Sequence, residues 1–304
     1  MNTLDKNKIL SISKNIYDDL TKLSNVNGIG IGYKFINSTN TGELSLHVLV
    51  EKKVDKSVLG SKNLVPKNYM NVKTDVIEIG KVHSHKLIDR IRPLEGGYSI
   101  GPAGYNWAGT LGCIVTRGTT PNIEYFLLSN NHVFSDGGIV PIGNPILQPA
   151  VLDRGISSTD KVAILSEVIN IDFSGGINKV DCAIAKVTDP SIVTNKIALI
   201  GVPKGISQAK LTSMVKKSGR TTSELEGTVQ TVNATIGVDY GMDRTAIFSN
   251  QFVSTAISSP GDSGSLVLDK DNNAVGLLFA GSSSTTIFTD INSVLSALNV
   301  SLLL

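Results

Sequence analysis

The stretch Pro260-Gly261-Asp262-Ser263-Gly264-Ser265 places a serine between two glycines and ahead of an apolar run, Leu266, Val267 and Leu268. A serine hydroxyl is a weak nucleophile. It needs a general base within hydrogen-bond reach and backbone N–H groups aimed at the oxyanion it creates. Glycines beside it let the chain turn sharply and let a substrate carbonyl come close. Two distant residues have the chemistry to complete such a site. His132 follows the apolar run Leu127-Leu128 through Ser129, Asn130 and Asn131, and Asp181 opens the alternating stretch Val180–Val187. An imidazole can take the serine proton and return it to a leaving amine. A carboxylate can hold the imidazole in the right tautomer and stabilise the imidazolium. The chain order His, Asp, Ser is one of several on which such triads are built. Each residue also has a plainer reading: a tight glycine turn, a structural histidine, a strand-end turn carboxylate. Asp160 and Asp172 are the other carboxylates in range of the same role.

The elements that must position these residues are short strands. From Trp107 onward, strand patterns recur with turn signals between them, near 108–117, 123–129, 144–149, 161–170 and 180–187. A second set lies near 211–218, 226–237, 245–254, 265–269, 273–280 and 285–289. With 29 glycines and 5% aromatic residues, this predicts a mainly β protein with two barrels. His132 and Asp181 fall in the first set and Ser263 in the second, so the site is expected in the cleft between barrels. Asp290 is placed to cap a terminal helix over Ile291–Leu298. Upstream, Ile9, Ile12, Ile16, Leu20 and Leu23 make an amphipathic helical stripe. A hairpin over 27–37 and 43–52 and a strand over Val72–Ile79 follow. The expected organisation is a helix in 1–24, a small α+β domain in 25–80, a linker in 81–106, a first barrel in 107–200 and a second in 201–304.

Several segments in order carry a family resemblance: Lys217-Ser218-Gly219-Arg220-Thr221-Thr222, Gly227-Thr228-Val229, Asn233-Ala234-Thr235, the Ser263 loop, and Ala274-Val275-Gly276-Leu277. Together they resemble bacterial chymotrypsin-fold serine proteases of the alpha-lytic and Streptomyces protease type. The whole chain, over roughly residues 25–300, looks like intracellular trypsin-like proteins related to the plant narrow-leaf proteins. The resemblance implies a chymotrypsin-like double six-stranded β-barrel and a serine endopeptidase acting through an acyl-enzyme. His132 would be the base, Asp181 its orienting partner, and Ser263 the nucleophile, with the N–H groups of Gly261 and Ser263 forming the oxyanion hole. It also implies that Arg220 pairs with a buried Asp262, since a carboxylate out of water needs a cation or donors. The specificity pocket would involve Ile257, Phe279, Ala280 and Gly281. Ile257 stands six residues before the nucleophile, where trypsin-like enzymes carry an aspartate, so small or medium apolar residues are the expected substrates. Three departures are visible: Ser265 for a second glycine, Asn130-Asn131 before the histidine, and Phe279 where a serine usually bonds the triad aspartate. Ser265 is small enough to be tolerated; the other two support an alternative, an oligomeric protease-fold scaffold that holds peptides with little turnover.

Composition excludes other classes. The chain has 304 residues, 41% hydrophobic content and a formal charge of +2, which gives no electrostatic reason for nucleic-acid or anionic-membrane binding. No run reaches the roughly 18 apolar residues of a membrane span. Charges at Asp5, Lys6, Lys8, Lys14, Asp18 and Asp19 leave no signal-peptide core. Cys113 and Cys182 lie in apolar strands, consistent with free thiols in a reducing compartment. A cytoplasmic location is therefore expected, with a protein or peptide substrate and a possible homo-oligomer. No cofactor is implied, and His83-Ser84-His85 lacks the companions of a metal site.

Overall fold

The computed structural model describes residues 17, 19–23, 25–36, 39–80 and 86–304, and the chain divides into two units, 1–84 and 85–304. Most of the expected N-terminal helix and the His83–His85 cluster lie outside the described residues. In the first unit the strand Thr39–Val50 pairs antiparallel with Val26–Ile36 and parallel with Val72–Glu78, which also pairs with Asn68–Tyr69. Alternation puts Leu46, Val48 and Val50 on one face, where they form a core with Leu20 and Val72.

The second unit is mainly β. In its C-terminal half the pairing runs from Thr245–Thr255 through Ser223–Asp239, Met214–Gly219, Leu266–Asp269, Asn273–Gly281 and Thr285–Asp290, and back to Thr245–Thr255. This is a closed ring around Val215, Val229, Phe252, Val267, Val275 and Phe288. The other sheet runs Ser301–Leu302, Cys113–Arg117, Glu124–Ser129, Ala183–Val187, Lys161–Val168, Pro145–Leu147, Ser99–Pro102 and Gly109–Thr110. Gly109–Thr110 at one end and Cys113–Arg117, second from the other, are consecutive pieces of one stretch, so the sheet curls back on itself.

Residues 94–102 correct the expected linker. They form the strands Leu94–Gly96 and Ser99–Pro102, and Leu94 and Ile100 are fully buried. Glycine here serves close packing. A Cβ on Gly96 would lie 2.3 Å from the Gly112 carbonyl oxygen, and one on Gly101 2.9 Å from that of Trp107.

The helix Ile291–Leu298 begins where expected, with the Asp290 carboxylate accepting from the Ser293 N–H at 3.0 Å. Eight residues are too few to hold a helix in water. Burial of Ile291, Val294, Leu295 and Leu298 against Cys113, Leu128, Leu266 and Leu277 supplies the rest, at about 1.5–3 kcal/mol for each large apolar side chain. That cluster draws on both sheets and fixes one barrel against the other. Among the described residues no helix is long and apolar enough to cross a membrane.

Candidate active site

Three local structures meet in the groove between the barrels. The first is the short helix Asn131–Phe134 at the end of the strand Glu124–Ser129. It carries His132 and is tied down by its two asparagines. Asn130 donates to the Asp181 carbonyl at 2.7 Å, and Asn131 donates to that of Ile169 at 2.7 Å and accepts from the Gly137 N–H at 3.0 Å. The Asn130-Asn131 departure thus anchors the histidine turn.

The second is the start of the strand Ala183–Val187, where Asp181 is 1% exposed. His132 Nδ1 lies 2.5 Å from Asp181 Oδ2, and the His132 N–H lies 3.3 Å from Oδ1. A carboxylate at Nδ1 assigns the proton there and leaves Nε2 as the acceptor. Asp160 and Asp172 do other work. Asp160 pairs with Arg90, and Asp172 accepts from Ser174.

The third is the Ser263 loop. Gly261 has φ +101°, and a Cβ there would meet Thr221 Oγ1 at 2.4 Å and Arg220 Nη1 at 2.6 Å, so only glycine fits. The Pro260 carbonyl accepts from Thr221 Oγ1 at 2.9 Å. Across a trans peptide the Gly261 N–H therefore points the opposite way. Among the described residues none accepts from the N–H of Gly261 or of Ser263, although the neighbouring N–H groups of Asp262, Gly264 and Ser265 are all bonded. The loop thus carries two unbonded backbone donors among the described residues, at Gly261 and Ser263.

Gly109 brings the histidine turn and the serine loop together. A Cβ on it would lie 2.4 Å from Val133 Cγ2 and 3.0 Å from the Ser263 carbonyl oxygen. Thr110 continues the link, donating from its N–H to the Ser263 carbonyl at 2.8 Å and from its Oγ1 to the Gly261 carbonyl at 2.9 Å. Ser263 Oγ and His132 Nε2 make no direct hydrogen bond. Such contacts commonly close only when substrate binds.

Asp262 is fully buried, as expected, but its cation is not Arg220. Lys217 Nζ lies 3.2 Å from Asp262 Oδ2, with both side chains wholly buried. The same carboxylate accepts from the N–H groups of Ser259, Thr221 and Thr222 and from Thr222 Oγ1. Arg220 instead makes a two-pronged pair with Asp153 of the first barrel, Nε to Oδ2 at 2.5 Å and Nη2 to Oδ1 at 2.6 Å. The reason is strand geometry. Val215 and Lys217 share the inward face of Met214–Gly219, while Arg220 stands past the strand end, where its reach is toward the other barrel.

The pocket beside Ser263, about 640 Å³, is lined by Leu225, Ala256, Ser258, Ser259, Pro260, Leu278, Ala280 and Gly281 together with Ser282 and Ser283. Ile257 is absent from this wall. It is fully buried and packs into the second-barrel core, because alternation turns it away from its neighbours 256 and 258. Phe279 is also buried and lines a second cavity of about 520 Å³ with His132, Val238 and Tyr240. Ala280 and Gly281 border both cavities. A Cβ on Gly281 would lie 2.9 Å from Ser258 Oγ, so glycine keeps the pocket mouth open.

Sequence reasoning passed over Tyr240. Its hydroxyl donates to Asp181 Oδ2 at 2.8 Å, the bond that Phe279 cannot make. It also passed over Thr110, Asp153 and Lys217, of which only Lys217 left a signal, its place on the inward face of a strand. Burial pushes the Cys113 thiol up to about 12. Burial and the neighbouring Asp181 push Cys182 up as well, so both stay protonated. No group of three or more His, Cys, Asp or Glu able to hold a metal occurs among the described residues.

This fold and cleft are those of the chymotrypsin-like proteases. The trypsin family model matches residues 111–298, and the chain belongs to that family. Solved structures agree on the fold. Thermobifida fusca Protease A is 22% identical, with a TM-score of 0.50 over 69% of this chain and 97% of that one. The Nocardiopsis protease NAPase is 20% identical, with a TM-score of 0.51 over 68% and 97%. The alpha-lytic protease homolog N4 is 21% identical, with a TM-score of 0.51 over 69% and 99%. None of the curated proteins matches the chain.

Proposed function

We propose that this protein is a serine endopeptidase that cleaves after neutral side chains of small to medium size. The observation that carries the reading is the His132–Asp181 contact, which stands at the Ser263 loop beside two unbonded backbone donors. In the proposed sequence His132 Nε2 takes the Ser263 proton as Oγ attacks the scissile carbonyl. The N–H groups of Gly261 and Ser263 hold the oxyanion, and Asp181 stabilises the imidazolium. The imidazolium then protonates the leaving amine, and water hydrolyses the acyl-enzyme by the same relay.

The pocket supports the choice of substrate. Its walls are leucine, alanine, serine, glycine and proline, with no ionised group to meet a buried Lys, Arg or Glu side chain. Digestion of a peptide library should give cuts after apolar or small neutral residues, all lost in Ser263→Ala. A strong preference for Arg, Lys or Glu before the cut would overturn the substrate reading.

A further inference from the structure

We propose that Tyr240 is a positioning residue of this site: its hydroxyl, carried across the groove by a hairpin of the second barrel, fixes the carboxylate that orients His132. The inference rests on the triad reading of His132, Asp181 and Ser263 given above.

The hairpin joins Ser223–Asp239 to Thr245–Thr255, with Asp239 opposite Thr245 at its end. Its tip is closed by the Tyr240 N–H donating to the Arg244 carbonyl at 2.8 Å and the Arg244 N–H to that of Gly241 at 3.0 Å. Arg244 then anchors the tip on the first barrel. Its Nη2 donates to Asp136 Oδ1 at 2.9 Å and its Nη1 to the Asp136 carbonyl at 3.3 Å, and the guanidinium lies 5.3 Å over the Phe173 ring. The Tyr240 ring is wedged edge-on between Phe173, at 5.5 Å, and His132, at 5.6 Å. Nothing about this wedge requires a hydroxyl, yet the hydroxyl is aimed at Asp181 Oδ2, the same oxygen that faces His132 Nδ1.

Asp181 is therefore held from both barrels, by His132 from its own and by Tyr240 from the other. Without Tyr240, only the long 3.3 Å contact from the His132 N–H to Oδ1 opposes a turn of the carboxylate about its last bond, which would carry the imidazole with it. The phenol is a dependable donor, because burial first and the Asp181 charge second raise its pKa and keep it protonated. The other charged groups around the imidazole are Asp136, already paired with Arg244, and the exposed Asp239, bonded to the Gly241 N–H.

Tyr240→Phe keeps the ring packing and deletes one atom. Against a peptide substrate, kcat should fall about tenfold, the order expected for loss of a hydrogen bond to a charged group. KM should stay within about twofold. Arg244→Gln, which loosens the hairpin but keeps the hydroxyl, should change kcat in the same direction by less. An unchanged kcat in Tyr240→Phe, or a loss confined to KM, would overturn the proposal. The proton resonance of His132 Nδ1–H, read without substrate, separates this inference from the peptidase reading. It should move in Tyr240→Phe even if the wild-type protein cleaves nothing, and an unmoved resonance would also overturn the assignment.

Discussion

Lys217 and Arg220 stand three positions apart, one inside a strand and the other just past its end, and that difference decides which of them meets Asp262. The inward lysine is pinned to the carboxylate beneath the serine loop, while the arginine ties the barrels together through Asp153. Burial lowers the Lys217 pKa, and the Asp262 charge opposes that shift without cancelling it. The ammonium thus loses its proton at a lower pH in the folded protein than in the unfolded chain. Across that window the unfolded chain binds more protons, so this group makes folding more favourable as pH rises, even as the loop loses its cation. Activity should therefore fall on the alkaline side, below the ordinary lysine range, with no drop in melting temperature. A rate profile flat through that range, or a decline that tracks unfolding, would contradict the role given to Lys217. His132, Asp181 and Ser263 were legible because each sits in a short pattern of strand, turn and glycine. Tyr240 was not, because it reaches Asp181 only through the register of a hairpin some sixty positions away. Ile257 was misplaced because a count back from the serine ignores which way each strand residue faces.

At the scale of elements, the groove depends on how closely the strand Gly109–Thr110 lets its neighbours approach. Gly109 separates Val133, next to the histidine, from the Ser263 carbonyl, and a methyl group there has no room. Gly109→Ala should destabilise the protein by about 1–3 kcal/mol, the usual cost of overpacking a tight site. It should also lower kcat more than it raises KM, because it pushes the base away from the nucleophile. Urea denaturation and steady-state kinetics on the one variant check both, and a stable, fully active Gly109→Ala would show that the two segments have slack between them. Most strands from 108 onward were readable from alternation and turn residues, and the terminal helix from its cap. The strands Leu94–Gly96 and Ser99–Pro102 were hidden, since glycines that permit close backbone contact look like a linker in the sequence.

The whole second unit works as two curled sheets clamped around a groove. The shared core under the helix Ile291–Leu298 holds them from behind. The Arg220–Asp153 pair, the Thr110 bonds to the serine loop and the Tyr240–Arg244 hairpin hold them near the reacting groups. The cation under the serine loop, the anchor of the histidine turn and the donors on Asp181 all come from residues 85–304, so this unit holds every part the proposed chemistry uses. What the proposed chemistry asks of them is the conversion of one hydroxyl, that of Ser263, into a nucleophile. The most direct measurement is the intact mass of the protein after treatment with a fluorophosphonate. A single adduct located on Ser263, absent from Ser263→Ala and slowed in His132→Ala, is the expected result. Folded wild-type protein that takes no adduct, or an adduct that persists in Ser263→Ala, would contradict it.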